Sequence, residues 1–246
     1  MFPARFFRAG FSEKAVHAFY EMMADFLCPE CFRELVPVES PLCRVCGEMF
    51  VGREGEDHTC RRCIETPSYY ERARAAGVYD TSLMRLIHSL KYREKIQLAK
   101  PLGMLLLGAF LRFWGTSDAV DMVVPVPLHR KRLKSRGFNQ AWLLVRLWPV
   151  FARQLDINPG RVQIRKDVLA RRRWTDPQTA MDRNRRMKNM ADAFYVAKKT
   201  DIRGKRLLLI DDVLTTGATV NECAKVLVRS GARRVDVLTL ARTPAR

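Results

Sequence analysis

The sequence predicts an α/β fold, a parallel sheet flanked by helices, with a small cysteine-rich ribbon near its N-terminus. Three observations lead there. An unbroken apolar run (Leu207, Leu208, Leu209, Ile210), bounded by Lys205-Arg206 and Asp211-Asp212, reads as a strand covered on both faces. Short apolar strands alternate with segments of helical periodicity, the pattern of a parallel α/β sheet. Six of the seven cysteines fall in three Cys-x2-Cys pairs, Cys28/Cys31, Cys43/Cys46 and Cys60/Cys63. At 246 residues the chain has room for one such domain and an appendage.

Residues 1–26 are expected to form a helical segment. The Phe-rich start (Phe2, Phe6, Phe7, Phe11, Phe19) is interrupted by Arg5, Arg8, Glu13 and Lys14, which fits neither a signal peptide nor a span. No uninterrupted apolar run reaches the ~20 residues of a membrane span. A cytoplasmic location is therefore expected, and in that reducing compartment cysteines serve metals rather than disulfides.

Residues 27–68 are expected to form the ribbon. A Cys-x2-Cys turn aims two thiolates at one point, and two such turns complete a tetrahedral zinc site. Cys43/Cys46, followed by Gly47, and Cys60/Cys63 are 13 residues apart in a stretch rich in glycine and charge, the spacing of a zinc ribbon. Four thiolates close the coordination shell, so this zinc is structural. Cys28/Cys31 is left without a partner pair. It replaces one of the others, stays reduced against the ribbon, or joins a second site with His17 or His58.

The remaining elements occupy residues 69–246. A short strand is expected at 76–79, then a helix marked by Leu83, Leu86, Ile87 and Leu90 that ends in Lys91-Tyr92, and a second helix at 96–113. A buried strand at 122–128 stops at its prolines, which cannot donate to a ladder. A basic loop with five lysines and arginines between Arg130 and Arg136 follows, and Gly137 opens a helix with Leu143, Leu144, Leu147, Phe151 and Leu155. Arg171, Arg172 and Arg173 run unbroken into Trp174, ahead of a basic helix with Arg183, Arg185 and Arg186 and a strand at 193–196. After the strand at 207–210, Val220, Cys223, Ala224 and Leu227 keep the i, i+3, i+4, i+7 spacing of an amphipathic helix, with Cys223 in its core face.

Lysine and arginine number 44 against 26 acids, a formal net charge of +18. That excess predicts attraction to polyanions, foremost nucleic acid. Arginine rows track phosphates, while Trp174 and Phe138 offer faces for base stacking, so single-stranded nucleic acid is the expected partner.

The chemistry concentrates at 211–219. Thr215, Thr216, Gly217, Ala218 and Thr219 lead into a helix whose N-terminus presents unpaired N–H groups and positive dipole potential, with threonine hydroxyls as further donors. That is a phosphate cup. Asp211 and Asp212 repel phosphate but accept hydrogen bonds from a vicinal diol, so the whole segment fits a pentose 5-phosphate. A nucleotide P-loop is excluded, because no lysine follows Gly217 in its frame.

This segment resembles the signature of type I phosphoribosyltransferases, in which the acids hold the ribose of phosphoribosyl pyrophosphate (PRPP) and the following loop holds its 5-phosphate. The resemblance widens along the chain. VVPVPLH, SRGFNQA, a TDPQ before a basic helix, and LLLIDDVLTTGAT, in that order behind a Cys-x2-Cys head, are similar to the ComF (ComFC) family of competence proteins. It implies a type I phosphoribosyltransferase-like fold, a role in DNA uptake during natural transformation, and other competence proteins as partners. It further implies a pyrophosphate loop at Val126, Pro127 and Leu128, a mobile flap at 130–140, and Mg2+ held mainly by PRPP oxygens. Lys91 and Arg136 are the candidate catalytic cations that would absorb the charge of departing pyrophosphate. Family members commonly carry four cysteine pairs forming a double zinc ribbon. This chain lacks the first, which leaves Cys43, Cys46, Cys60 and Cys63 as the intact site. The alternative expectation is an active phosphoribosyltransferase on a nucleobase or amide-nitrogen acceptor, although the sequence shows no acceptor pocket or general base.

Overall fold

The computed structural model describes residues 4–50, 55–92, 95–115, 120–157, 162–172, 192–197 and 200–244. Five parallel strands lie in the order β1 (Arg72–Val78), β7 (Arg234–Arg242), β6 (Arg206–Leu214), β2 (Met122–Pro125) and β3 (Gln163–Ile164). The expected parallel sheet flanked by helices is the fold. Side chains on β6 alternate between its two faces. Leu208 and Ile210 enter the core around α6 (Ala99–Trp114), whereas Leu207 and Leu209 pack against α10 (Ala218–Arg229). Helix α6 is the central helix, buried over most of its length against α2 (Glu13–Met23) and α8 (Gln140–Val145). Residues Ile96–Trp114 are apolar and long enough to cross a membrane by composition, but 67% of that window is buried inside the protein. An antiparallel pair, β4 (Leu169–Arg171) with β5 (Phe194–Val196), lies beside α10.

The sheet differs from expectation at its edge. Strand β1 starts at Arg72, ahead of the expected 76–79, because its arginines find partners inside the protein. Arg72 sits 4.5 Å over the Trp114 ring, and buried Arg74 donates to the carbonyls of Ala73 and Arg44 (2.8 and 3.1 Å). Strand β7, absent from the expected elements, pairs with both β1 and β6. Its central Asp236 is buried and accepts from Trp114 Nε1 (2.8 Å) and Arg234 Nε (3.1 Å), so an acid stands where the pattern calls for an apolar residue.

Three local corrections concern the middle of the chain. Strand β2 ends at Pro125, three residues short of the expected limit, and Val126 N donates the last bond to Ile210 O (2.8 Å). The basic segment is helix α7 (Arg130–Arg136) and not a loop, since it is built of helix formers without Gly or Pro. Gly137, at φ 79°, closes α7 and does not open the next helix; Asn139 opens α8, its side chain accepting from Ala141 N (2.9 Å). The single helix expected beyond splits into α8 and α9 (Trp148–Gln154), because Pro149 cannot continue a helix and restricts the residue before it. The basic helix with Arg183, Arg185 and Arg186 lies outside the described residues.

The cysteine-rich segment covers the free edge of β1. Val78 N donates to Val36 O (2.8 Å) and Ala73 N to Val45 O (2.7 Å). Ala73, Ala75, Ala76 and Gly77 keep that edge thin enough for the approach, and a Cβ on Gly47 would overlap the Ala73 carbonyl. An exposed sheet edge invites pairing with other chains, and this one is closed by the ribbon.

Candidate functional site

The ribbon brings Cys43, Cys46, Cys60 and Cys63 together, with all four thiol sulfurs within 4.8 Å of one another. Cys46 Sγ and Cys60 Sγ are 3.8 Å apart, which matches two sulfurs each about 2.3 Å from a common tetrahedral zinc. The thiols are also dressed as thiolate ligands. Cys46 N and Cys60 N both point at Cys43 Sγ (3.4 Å), and Arg62 donates to Cys46 Sγ at 3.1 Å while pairing with Glu48 (2.8 Å). The donor set fits a closed structural zinc. Cys28 and Cys31 lie at the start of α3 (Pro29–Arg33), where Cys31 faces Cys28 and Ser82. His58 is stacked on Phe50 and His17 packs against Phe7. Among the described residues, neither histidine joins Cys28 and Cys31 in a ligand cluster.

At the C-terminal end of β6 the ladder to β7 continues through Leu214, so Asp211 and Asp212 lie within the strand. Being consecutive, they point to opposite faces of the sheet. Asp212 is 4% exposed and pairs with Lys91 Nζ, 2.7 Å away at the end of α5 (Thr81–Tyr92). Burial opposes the charge of Lys91, but the Asp212 carboxylate outweighs it and holds the lysine above its ordinary pKa. Asp211 is part-buried on the other face; its Oδ1 accepts from Asp212 N (2.9 Å). Burial, then the Asp212 carboxylate, push Asp211 up to about 7. Lys91 has neutralised one acid, which leaves Asp211 as the adjustable one.

The loop that follows turns sharply. Gly217 sits at φ 80° at the N-cap of α10 and brings no side chain of its own to cap the helix. Thr216 Oγ1 accepts from Ala218 N at 3.4 Å, Thr215 is exposed, and Thr219 lies on the first turn. The amphipathic reading of α10 matches its buried residues Val220, Cys223, Ala224 and Leu227. Across a small cleft from Thr216, Gly217 and Asn221 stand Cys63 and Thr66 of the ribbon and Tyr70 just beyond it. A Cβ on Gly217 would lie 3.4 Å from the Tyr70 hydroxyl, and Asn221 Oδ1 accepts from Tyr69 N (2.8 Å). Neither tyrosine nor Asn221 carried a signal in the sequence, since they meet the loop through the fold.

Val126, Pro127 and Leu128 follow β2, the strand next to β6, and Asn139 Nδ2 ties the Val126 carbonyl down at 3.1 Å. Arg136 donates to Gln140 Oε1 (2.8 Å) and covers the Tyr92 ring at 5.2 Å. Of the expected DNA residues, Arg171, Arg172 and Phe138 are described. Arg171 packs over Phe194 (5.3 Å), near enough to Asp211 to feel its charge, while Arg172 lies over Tyr195 (5.6 Å). Phe138 is half-buried against the main core, and Arg173 and Trp174 lie outside the described residues.

Comparison with known proteins places these features in sequence space. Residues 147–246 match the family described as Phosphoribosyl transferase domain, and residues 21–64 match the Double zinc ribbon domain. DNA utilization protein YhgH of Escherichia coli (strain K12) is 32% identical over 219 residues, covering 88% of this chain and 90% of that protein. Competence protein F of Haemophilus influenzae is 29% identical over 231 residues, 89% of this chain and 97% of its own length. Competence protein ComFC of Bacillus subtilis is 25% identical over 224 residues, 88% and 84% of the two chains.

Proposed function

The chain belongs to the ComF family, alongside YhgH, competence protein F and ComFC, and from that membership we propose that it binds PRPP and single-stranded DNA in the cytoplasm and acts in DNA uptake and utilization. One observation carries the PRPP half: the C-terminal end of the central strand β6 carries a carboxylate pair, and the glycine-led start of α10 follows five residues later. In open α/β sheets that end faces the ligand crevice. Asp211 accepts the ribose hydroxyls, while Asp212, on the opposite face, is held in its ion pair with Lys91. Thr215, Thr216, Gly217, Ala218 and Thr219 hold the 5-phosphate, and the backbone at Val126, Pro127 and Leu128 meets the pyrophosphate. Mg2+ arrives with PRPP and keeps most of its ligands there. Cys43, Cys46, Cys60 and Cys63 hold structural zinc, which keeps the ribbon folded.

The DNA half rests on charge and on the roles for which the relatives are named. Helix α7 exposes Arg130 and Lys134, and exposed basic side chains that meet phosphates release counterions. Reversing Arg130 and Lys134 to glutamate is expected to lower the slope of log affinity against log salt for a dT20 oligonucleotide by about 1 to 2. Fluorescence anisotropy across a salt series measures it, and an unchanged slope removes α7 from the DNA path.

A second reading, transfer of the phosphoribosyl group to a nucleobase or amide nitrogen, is favoured by the transferase-domain match at 147–246. Pyrophosphate release on addition of an acceptor distinguishes a transferase from a protein that only binds PRPP.

A further inference from the structure

Beside the acid pair the structure carries an aromatic platform outside the residues proposed above to hold PRPP. Tyr92 ends helix α5, one residue beyond Lys91, and is 68% exposed, an unusual setting for a ring next to a buried ion pair. Its neighbours hold it in place. His88 meets the ring edge-on at 5.6 Å and 66°, and His88 Nε2 is hydrogen-bonded to the Tyr79 hydroxyl (2.8 Å). Tyr79 directly follows β1 and is fixed by its N–H to Arg242 O (2.7 Å). The chain Tyr79, His88, Tyr92 thus runs from the sheet to the surface beside the Lys91–Asp212 pair. Arg136, from the C-terminal end of basic α7, rests on the Tyr92 ring at 5.2 Å.

We propose that Tyr92 is a stacking platform for a base of single-stranded DNA, placing that base beside the crevice. The inference rests on the DNA reading above and names the contact that reading lacks. A guanidinium on a tyrosine is a weaker partner than a stacked base, so a base displaces the half-buried Arg136 from the ring, while its bond to Gln140 keeps it at hand. The displaced guanidinium stays at the site, where it meets the phosphate of the same nucleotide. Every base has a π-face, so the contact is indifferent to sequence.

Tyr92→Ala and Tyr92→Trp test it by anisotropy with dT20 at fixed salt, followed by a salt series. Tyr92→Ala is expected to weaken binding about tenfold with the salt slope unchanged, because stacking releases no counterions. Tyr92→Trp is expected to keep the parent's affinity, and its indole emission to be quenched as dT20 is added. If Tyr92 only parks Arg136, its removal frees a cation and binding stays the same or tightens; that result overturns the proposal while leaving the DNA reading intact. A parent protein that does not bind dT20 overturns both. Melting curves of the two variants should coincide with the parent's, since the ring is exposed.

Discussion

Cys60→Ser is expected to release the zinc and to lower the melting temperature by about 10 °C or more. Each knuckle supplies two of four thiolates, so the loss of one sulfur opens a site whose binding free energy is also folding free energy. The effect reaches beyond the ribbon. Residues 36–47 hydrogen-bond along β1, and Cys63 shares a cleft with Gly217, so an unfolded ribbon uncovers a sheet edge and removes a wall of the phosphate cup. Metal analysis should find one zinc per chain in the parent and in Cys28→Ser, and none in Cys60→Ser. Zinc lost with Cys28 and retained without Cys60 would reverse the ligand assignment.

Lys91→Ala is expected to destabilise the protein by about 3 kcal/mol, because it strands a buried carboxylate next to a second acid. For a chain of this length that is a fall in melting temperature of about 6–12 °C. Adding Asp212→Asn to Lys91→Ala should recover most of the loss, since the stranded charge is then gone. A melting temperature for Lys91→Ala equal to the parent's would mean that the pair is not formed.

How much of this was legible in the sequence follows from the range of each signal. The β6 run, the periodicity of α10 and the ribbon cysteines are local patterns, and they read correctly because neighbouring residues alone determine them. Strand β7 was not legible, because Asp236 breaks its apolar pattern and is made tolerable by Trp114, which α6 brings to it, and by Arg234 on the same strand. Arg72 and Arg74 hid the start of β1 in the same way. Lys91 stood out as a cation, but its partner could not be read: the sequence suggested pyrophosphate, and the fold gives it Asp212. The sequence pairs the two acids on one vicinal diol. Strand pleating instead separates them, with Asp212 buried against Lys91 and Asp211 left on the opposite face. The tyrosines at 70, 79 and 92 gave no signal, since each gains its place through contacts distant in the chain.

That division of labour makes Asp211 the residue to remove when the binding site itself is in question, for its loss leaves no buried charge behind. The most direct measurement is calorimetric titration of the zinc-loaded protein with PRPP in the presence of Mg2+, run in parallel on Asp211→Asn. The account predicts saturable one-to-one binding by the parent, with affinity between about 1 μM and 1 mM. It predicts affinity weaker by about 10- to 100-fold in Asp211→Asn, the worth of hydrogen bonds to a charged acceptor. No binding by the parent, or equal affinity in a folded Asp211→Asn variant, would contradict it.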